Sequence, residues 1–224
     1  MNTLLMRLVA PMQSWGIQSH YSVRDTGTEP SKSGVIGLIC AALGRERTAD
    51  VEDLARLRMG VRVDREGTIQ CDYHIAQDVL SSDTKSRKPS ITSRRYYLAD
   101  AAFLVGLEGE DLSLLEQIHH ALAKPVWALY LGRKAFVPSA PVYLPDGLRR
   151  GERLEQALAN YGWICSPAGG DESLPKRIRL IIESPDGEQI RPDVPVSFAR
   201  RRFSSRRISQ RMIDAPQFTS KVIL

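Results

Sequence analysis

The order of elements along the chain predicts an α+β fold with a split βαβ, ferredoxin-like core: strand, helix, strand pair, strand, helix, strand. Three observations carry that reading. Apolar residues alternate at the start of the chain, and a buried apolar run recurs just after residue 100, as sheet strands require. Between and after them lie two helix-forming stretches with caps and breakers at their ends. The composition, 42% hydrophobic and 25% charged over 224 residues, is that of a globular protein large enough to bury its own core.

Taken in order, Thr3 to Val9 alternates, with Leu4, Met6 and Leu8 on one face. A polar loop follows from Ala10 to Lys32. Ser33-Gly34 then opens Val35 to Leu43, apolar all round and closed by Gly44, which reads as a buried helix. Asp50 and Asp53 can cap a short helix from Val51 to Leu57. Met59 to Val63 and Thr68 to Ile75, joined by Arg65-Glu66-Gly67, read as a hairpin. Residues 76–93 are polar, basic and without apolar periodicity, an excursion that leads back into β-branched and aromatic residues. Ala101 to Leu107 is the next buried strand. Asp111 to Ala123 aligns Leu112, Leu115, Ile118 and Leu122 on one stripe, with Ser113 and Glu116 at capping-box spacing. A loop rich in proline and aromatics runs to Pro145, and Glu152 to Tyr161 gives one more helix. Arg177 to Glu183 and Glu188 to Arg191 flank Pro185-Asp186-Gly187 and read as a second hairpin. With no internal repeat or linker, residues 1–224 are one domain whose C-terminal region, about 138–224, decorates the core.

Several function classes fall away. The longest apolar run, Val35 to Leu43, is too short to span a bilayer, and the first residues lack a secretory signal, so no membrane partner is expected. Cys40, Cys71 and Cys165 are isolated and without CxxC spacing, which argues against a disulfide framework or zinc ribbon and for a cytoplasmic setting. His20, His74, His119 and His120 offer no HxxxH or HExxH spacing, so neither metal nor cofactor is expected. His20 with Tyr21 is the one acid/base candidate, and loop serines such as Ser14 and Ser19 sit in no GxSxG turn. No enzyme signature survives.

The net charge of +5 hides a segregation. Residues 84–99 carry Lys85, Arg87, Lys88, Arg94 and Arg95 with no acid; residues 194–213 carry six arginines, again with no acid. These windows take 11 of the 31 basic groups, which leaves 20 against all 26 acids elsewhere. A solvated surface mixes its signs, so separation on this scale points to a polyanion, with nucleic-acid phosphate first.

Two motifs fit that partner. Thr26 to Gly34 runs into a helix start, where free N–H groups, Ser31, Ser33 and Lys32 make a seat for a backbone phosphate. The glycines of a P-loop would fall at Thr26 and Ser31, so nucleotide hydrolysis is excluded. A plain capped helix reads the same residues equally well. Tyr130-Leu131-Gly132-Arg133-Lys134 sets a close-approach glycine between an aromatic and two cations. Trp15 can stack on a base or close the first strand from within, while Trp127 and Phe136 read as core.

Together these segments resemble the CasD family, the subunit of the type I-E CRISPR Cascade complex that holds the 5′ handle of the guide RNA. The resemblance is carried, in order, by Leu8-Val9-Ala10-Pro11-Met12-Gln13-Ser14-Trp15-Gly16, Pro30-Ser31-Lys32-Ser33-Gly34-Val35-Ile36-Gly37-Leu38, Asp72-Tyr73-His74, Arg94-Arg95-Tyr96-Tyr97-Leu98-Ala99-Asp100-Ala101-Ala102-Phe103 and Tyr130-Leu131-Gly132-Arg133-Lys134. The stretch from Phe198 to Ile208 is similar more loosely. The resemblance implies a ferredoxin-like (RRM-type, RAMP) palm with an inserted β-hairpin thumb at about 76–97, over the first basic window. It implies that the palm cradles the handle and the thumb crosses the guide where handle meets spacer. The residues expected at RNA are Gln13, Trp15, Ser31, Lys32, Ser33, Lys85, Arg87, Lys88, Arg94, Arg95, Tyr130, Gly132, Arg133, Lys134, Arg200 and Arg206. Neighbours on a strand face opposite ways, so Arg94 and Arg95 are expected to differ, one contacting nucleic acid and one not.

The partners implied are crRNA through its 5′ handle, the backbone subunit CasC, the large PAM-reading subunit CasA, and target DNA near its PAM-proximal end. One branch of the wider family, in type I-C systems, cuts precursor RNA with a tyrosine and an adjacent lysine–histidine pair. Here no Lys precedes a His, which favours a non-catalytic RNA-binding subunit. The alternatives are a metal-independent endoribonuclease processing CRISPR repeat RNA and a basic RNA-binding protein without CRISPR partners.

Overall fold

The computed structural model describes residues 1–16, 22–80, 86–165 and 175–216. Among these, a seven-stranded sheet is built on β1 (Asn2–Val9), β4 (Arg58–Arg65), β7 (Ala102–Gly109), β8 (Leu148–Arg149), β9 (Arg177–Glu183), β10 (Gln189–Ser197) and β11 (Arg202–Asp214). A second sheet is built on β2 (Met12–Gln13), β3 (Val23–Arg24), β5 (Thr68–Leu80) and β6 (Arg87–Ala99). The helices are α1 (Lys32–Leu43), α2 (Glu52–Ala55), α3 (Leu112–Ala123) and α4 (Leu154–Asn160).

The large sheet runs β10-β11-β9-β4-β7-β1-β8 with every neighbouring pair antiparallel. Both of its faces are covered. Leu4, Met6 and Leu8 of β1 join α1 and α3 in one core, as the alternation requires. On the opposite face, Leu5 and Val9 join Leu154, Ala157 and Leu158 of α4 in a second core, and Arg7 is only partly buried. Arg62 of β4, wholly buried, forks onto Asp64 and donates to the Leu158 and Gly162 carbonyls at 2.7 Å, closing the open end of α4.

The helix ends follow capping chemistry, with two shifts from the sequence reading. α1 starts at Lys32, one turn's edge earlier than Ser33-Gly34, because Ser31 is the cap and its Oγ accepts from the Gly34 N–H. α3 is capped by Asp111, whose carboxylate accepts from Leu114 N–H at 3.0 Å, so Ser113 and Glu116 are not its capping box.

Both hairpins read from the sequence are corrected. β4 and β5 do not pair; β4 stays in the large sheet between β7 and β9 while β5 leaves for the second sheet. β9 and β10 do not pair either, because β11 inserts between them. The turn that joins them passes so close that a Cβ on Gly187 would lie 2.5 Å from the Ile208 backbone. The C-terminal strands therefore extend the main sheet. Residues 76–80 and 87–93 of the polar excursion belong to strands, and the β5–β6 arm begins at Thr68 and ends at Ala99, wider than the 76–97 expected. β6 is its spine, flanked along one edge by β5 and along the other by β2 and then β3.

Candidate nucleic-acid interface

The two sheets meet where β2 ends, and the approach there is tight. Leu131 accepts from Ser14 N–H, and a Cβ on Gly132, at φ +94, would lie 1.8 Å from the Ser14 carbonyl oxygen. Only glycine fits this contact. It delivers Arg133 to the junction, where Nη2 donates to the Tyr96 carbonyl at 2.8 Å and the guanidinium lies over the Phe136 ring.

Arg133 faces a cavity of about 660 Å³. Trp15 forms its floor, Ser31, Ser33 and Gly34 the α1 side, and Arg24, Arg201, Phe198 and Phe203 complete the wall. Arg24 of β3 is the register partner of Arg95 on β6, and Arg95 is the register partner of Asp72 on β5, so the three share one face of the second sheet. Burial first, then the Arg95 and Arg24 charges, hold the pKa of Arg133 below its ordinary value. A guanidinium keeps its proton, so titration does not relieve that repulsion, whereas a bound anion would. Asp72 and Asp25 offset part of it.

Arg94 stands on the opposite face, in a row with Val23 and Tyr73. Tyr73 is 60% exposed and Val23 49%. The two neighbouring arginines are thus inequivalent, and Arg95 is the one that belongs to the cluster at the cavity.

At four of the residues expected at RNA, the protein itself occupies the polar atoms. Gln13 is wholly buried; its amide donates to the Ala101 carbonyl at 2.8 Å and its oxygen accepts from the Trp15 indole N–H. Trp15 is 2% exposed and cannot stack a base. Lys32 is 1% exposed, with Nζ 2.9 and 3.0 Å from the two oxygens of Glu183, and burial outweighs that partner to lower its pKa. Arg206 forks onto Asp193 at 2.7 and 3.0 Å and reaches Glu183. The Lys32 N–H donates to Asp193 at 2.7 Å, so this first-turn amide of α1, part of the expected phosphate seat, already holds a carboxylate of the chain.

Of the remaining expected residues, Ser31, Ser33, Gly132 and Arg133 meet at the cavity. Tyr130, Lys134 and Arg200 are exposed but outside its lining. Arg87 and Lys88 lie at the far end of the arm, Arg87 paired with Asp78. Lys85, with His20, Tyr21 and Ser19, lies outside the described residues. Phe136 is core as expected, whereas Trp127 is 46% exposed. The sequence reading passed over Arg24, Phe198, Arg201 and Phe203. Phe203 carried a usable signal, an aromatic set inside a run of arginines. Arg24, beside Asp25 in a polar loop, carried none. Among the described residues no three His, Cys, Asp or Glu side chains converge as a metal site would require, and no helix is long and apolar enough to cross a membrane.

Comparison with known proteins bears on this interface. Residues 3–215 match the family described as CRISPR-associated protein (Cas_Cas5). The chain is 31% identical over 187 residues to the CRISPR system Cascade subunit CasD of Escherichia coli (strain K12), covering 75% of this chain and 79% of that one. Among solved structures it is similar to a Cas protein crystal structure at TM-score 0.78 and 44% identity, covering 96% of this chain and 98% of the other. It is also similar to a chain of a CRISPR RNA-guided surveillance complex at TM-score 0.77 and 33% identity, over 96% and 91% of the two chains.

Proposed function

The chain belongs to the Cas5 family of CRISPR-associated proteins, and from that premise we propose that it is a non-catalytic, crRNA-binding subunit of a type I-E Cascade surveillance complex. Its role there is to cap the 5′ handle of the crRNA in antiviral defence, in the cytoplasm. The observation that carries this reading is the set of Arg24, Arg133 and Arg201 lining an open cavity, with Arg95 near enough to repel Arg133 and with Asp72 and Asp25 offsetting only part of that repulsion. The order β8-β1-β7-β4, with α1 after β1 and α3 after β7, supports a ferredoxin-like RAMP palm beneath it. The β5–β6 arm is the thumb in this reading, and its far end, with Arg87 and Lys88, reaches guide or PAM-proximal target DNA. CasC and CasA are the neighbours in this assembly.

The test is to sequence the RNA that copurifies with the tagged protein from its native host. Short RNAs with a shared repeat-derived 5′ segment and variable sequence after it are expected; RNAs without a common 5′ segment overturn the reading. Incubation of the purified protein with repeat RNA in EDTA checks the non-catalytic part, which a site-specific cut would refute.

A further inference from the structure

We propose that the cavity is a base-stacking site: one unstacked nucleobase of single-stranded RNA lies against Phe203, and its phosphate is held between Arg133 and Arg201. This rests on the RNA-binding reading above and adds to it a residue-level recognition element in the C-terminal strands.

A cluster of arginines alone would make only a phosphate track. What changes the chemistry is Phe203, 45% exposed, opening on the cavity from within a segment that has no acid between 194 and 213. A half-exposed ring amid guanidinium groups has the make-up of a nucleotide platform, with a π-face for the base and cations for the phosphate. The volume, about 660 Å³, lies within the roughly 300–1,000 Å³ typical of sites that enclose small ligands. An open cavity of that size takes a splayed-out base and its sugar, whereas a stacked duplex presents no base face to it.

The wall that carries Phe203 is fixed in place. The Phe198 ring packs against α1, 3.7 Å from where a Gly37 Cβ would stand. The Phe198 carbonyl accepts from Arg47 Nε at 3.1 Å and from Arg201 N–H at 3.4 Å. Arg201 itself sits at φ +51, a left-handed conformation that glycine adopts without strain and arginine does not. The chain keeps a cation where glycine would fold more easily, and the cation lines the cavity. Across the cavity Arg133 is immobilised by Tyr96 and Phe136 and repelled by Arg24 and Arg95. Both walls are thus preorganised, which lowers the ordering cost of binding.

The test uses the purified chain and a short single-stranded RNA carrying 2-aminopurine at one position at a time. On wild type, one position is expected to lose fluorescence as its base stacks. Phe203→Leu, which keeps an apolar side chain but no ring, is expected to abolish that quench and weaken binding roughly five- to 150-fold, while Phe203→Trp retains both. An abasic nucleotide at the same position should weaken wild type by a similar factor and leave Phe203→Leu unchanged. Arg201→Gly should bind less tightly yet melt no lower than wild type. If wild type binds RNA but the Phe203 and abasic losses simply add, or no position responds, the stacking site is refuted and RNA binding stands. If wild type binds no single-stranded RNA at all, both readings fall.

Discussion

Two groups of charge lie on either side of Ser31 and meet opposite fates. On one side Lys32, Arg206, Glu183 and Asp193 form a closed set, each cation matched by a carboxylate and nearly all of it buried. On the other, Arg24, Arg95, Arg133 and Arg201 gather around a cavity with Asp25 and Asp72 as the nearby acids. Basic residues alone do not mark an interface. What separates the two groups is how fully the described carboxylates match the cations. A buried pair recovers its desolvation cost only internally, so it welds β9, β10 and β11 to the start of α1. In the open cluster Asp25 and Asp72 offset only part of the repulsion on Arg133, and in the proposed function the RNA phosphates offset the rest.

The sharpest way to break this contrast is to remove one charge from the closed set. Lys32→Ala strips Glu183 of its nearest cation and leaves a largely buried carboxylate with only the longer contact to Arg206 at 3.4 Å, which is expected to cost about 3 kcal/mol of stability by urea unfolding. A stable variant with weakened RNA binding would instead return Lys32 to the interface. The matching change in the open set is Arg133→Ala. It is expected to lose about 1.5–3 kcal/mol of RNA affinity, the worth of a charge-assisted contact, and little stability. Across the open set, four phosphate contacts give a log–log salt slope of roughly −3 for single-stranded RNA, and each arginine removed makes it shallower by about 0.7. A slope near zero would make the cluster ordinary solvated surface.

The arm carries the same contrast on a smaller scale. Arg95 joins the cluster while Arg94 stands with Val23 and Tyr73 on the other face. Arg95→Ala is expected to weaken RNA binding of the purified chain by about 1–3 kcal/mol, and Arg94→Ala by no more than about 0.5. Equal losses at fixed salt would show that the two faces are not distinguished.

Much of this was legible where the signal is local. β1, α1, α3 and α4 follow from apolar spacing, and the inequivalence of Arg94 and Arg95 follows from strand geometry alone. Pairing was not legible. Met59 to Ile75 has the pattern of a hairpin, yet β4 pairs with β9 from far along the chain, and a local turn signal cannot report a competing distant strand. The same limit explains the site. Lys32 and Arg133 look alike as cations within two residues of a glycine, and only the fold brings Glu183, 151 residues from Lys32, onto one of them. Acid-free windows point to a polyanionic partner but not to which arginine the protein pairs internally, as Arg206 shows.

The smallest expected loss of stability lies between the two groups, in the segment that carries Arg24 toward α1. Glu29, 11% exposed, holds that segment to the C-terminal strands through Arg179 at 2.9 Å and Arg191 at 3.1 Å. Burial pushes its carboxyl pKa up, but the hydrogen bonds from Thr28, Arg179 and Arg191 outweigh burial, and the net shift is downward from 4.5. A carboxyl depressed in the folded state stabilises fully above its unfolded pKa, and that stabilisation disappears as pH falls through the folded value. Glu29→Gln should therefore melt below wild type at neutral pH by about 1 kcal/mol, a modest loss because Arg179 keeps Glu66. Below pH 4.5 the wild-type melting temperature should fall faster, until the two curves meet once Glu29 is protonated. Curves that stay parallel from neutral pH to the acid limit would show that Glu29 is not the fastener, and that the segment beside the open arginines is held by the contacts of Thr26 and Gly27 to Trp15 and of the Thr28 carbonyl to Arg179.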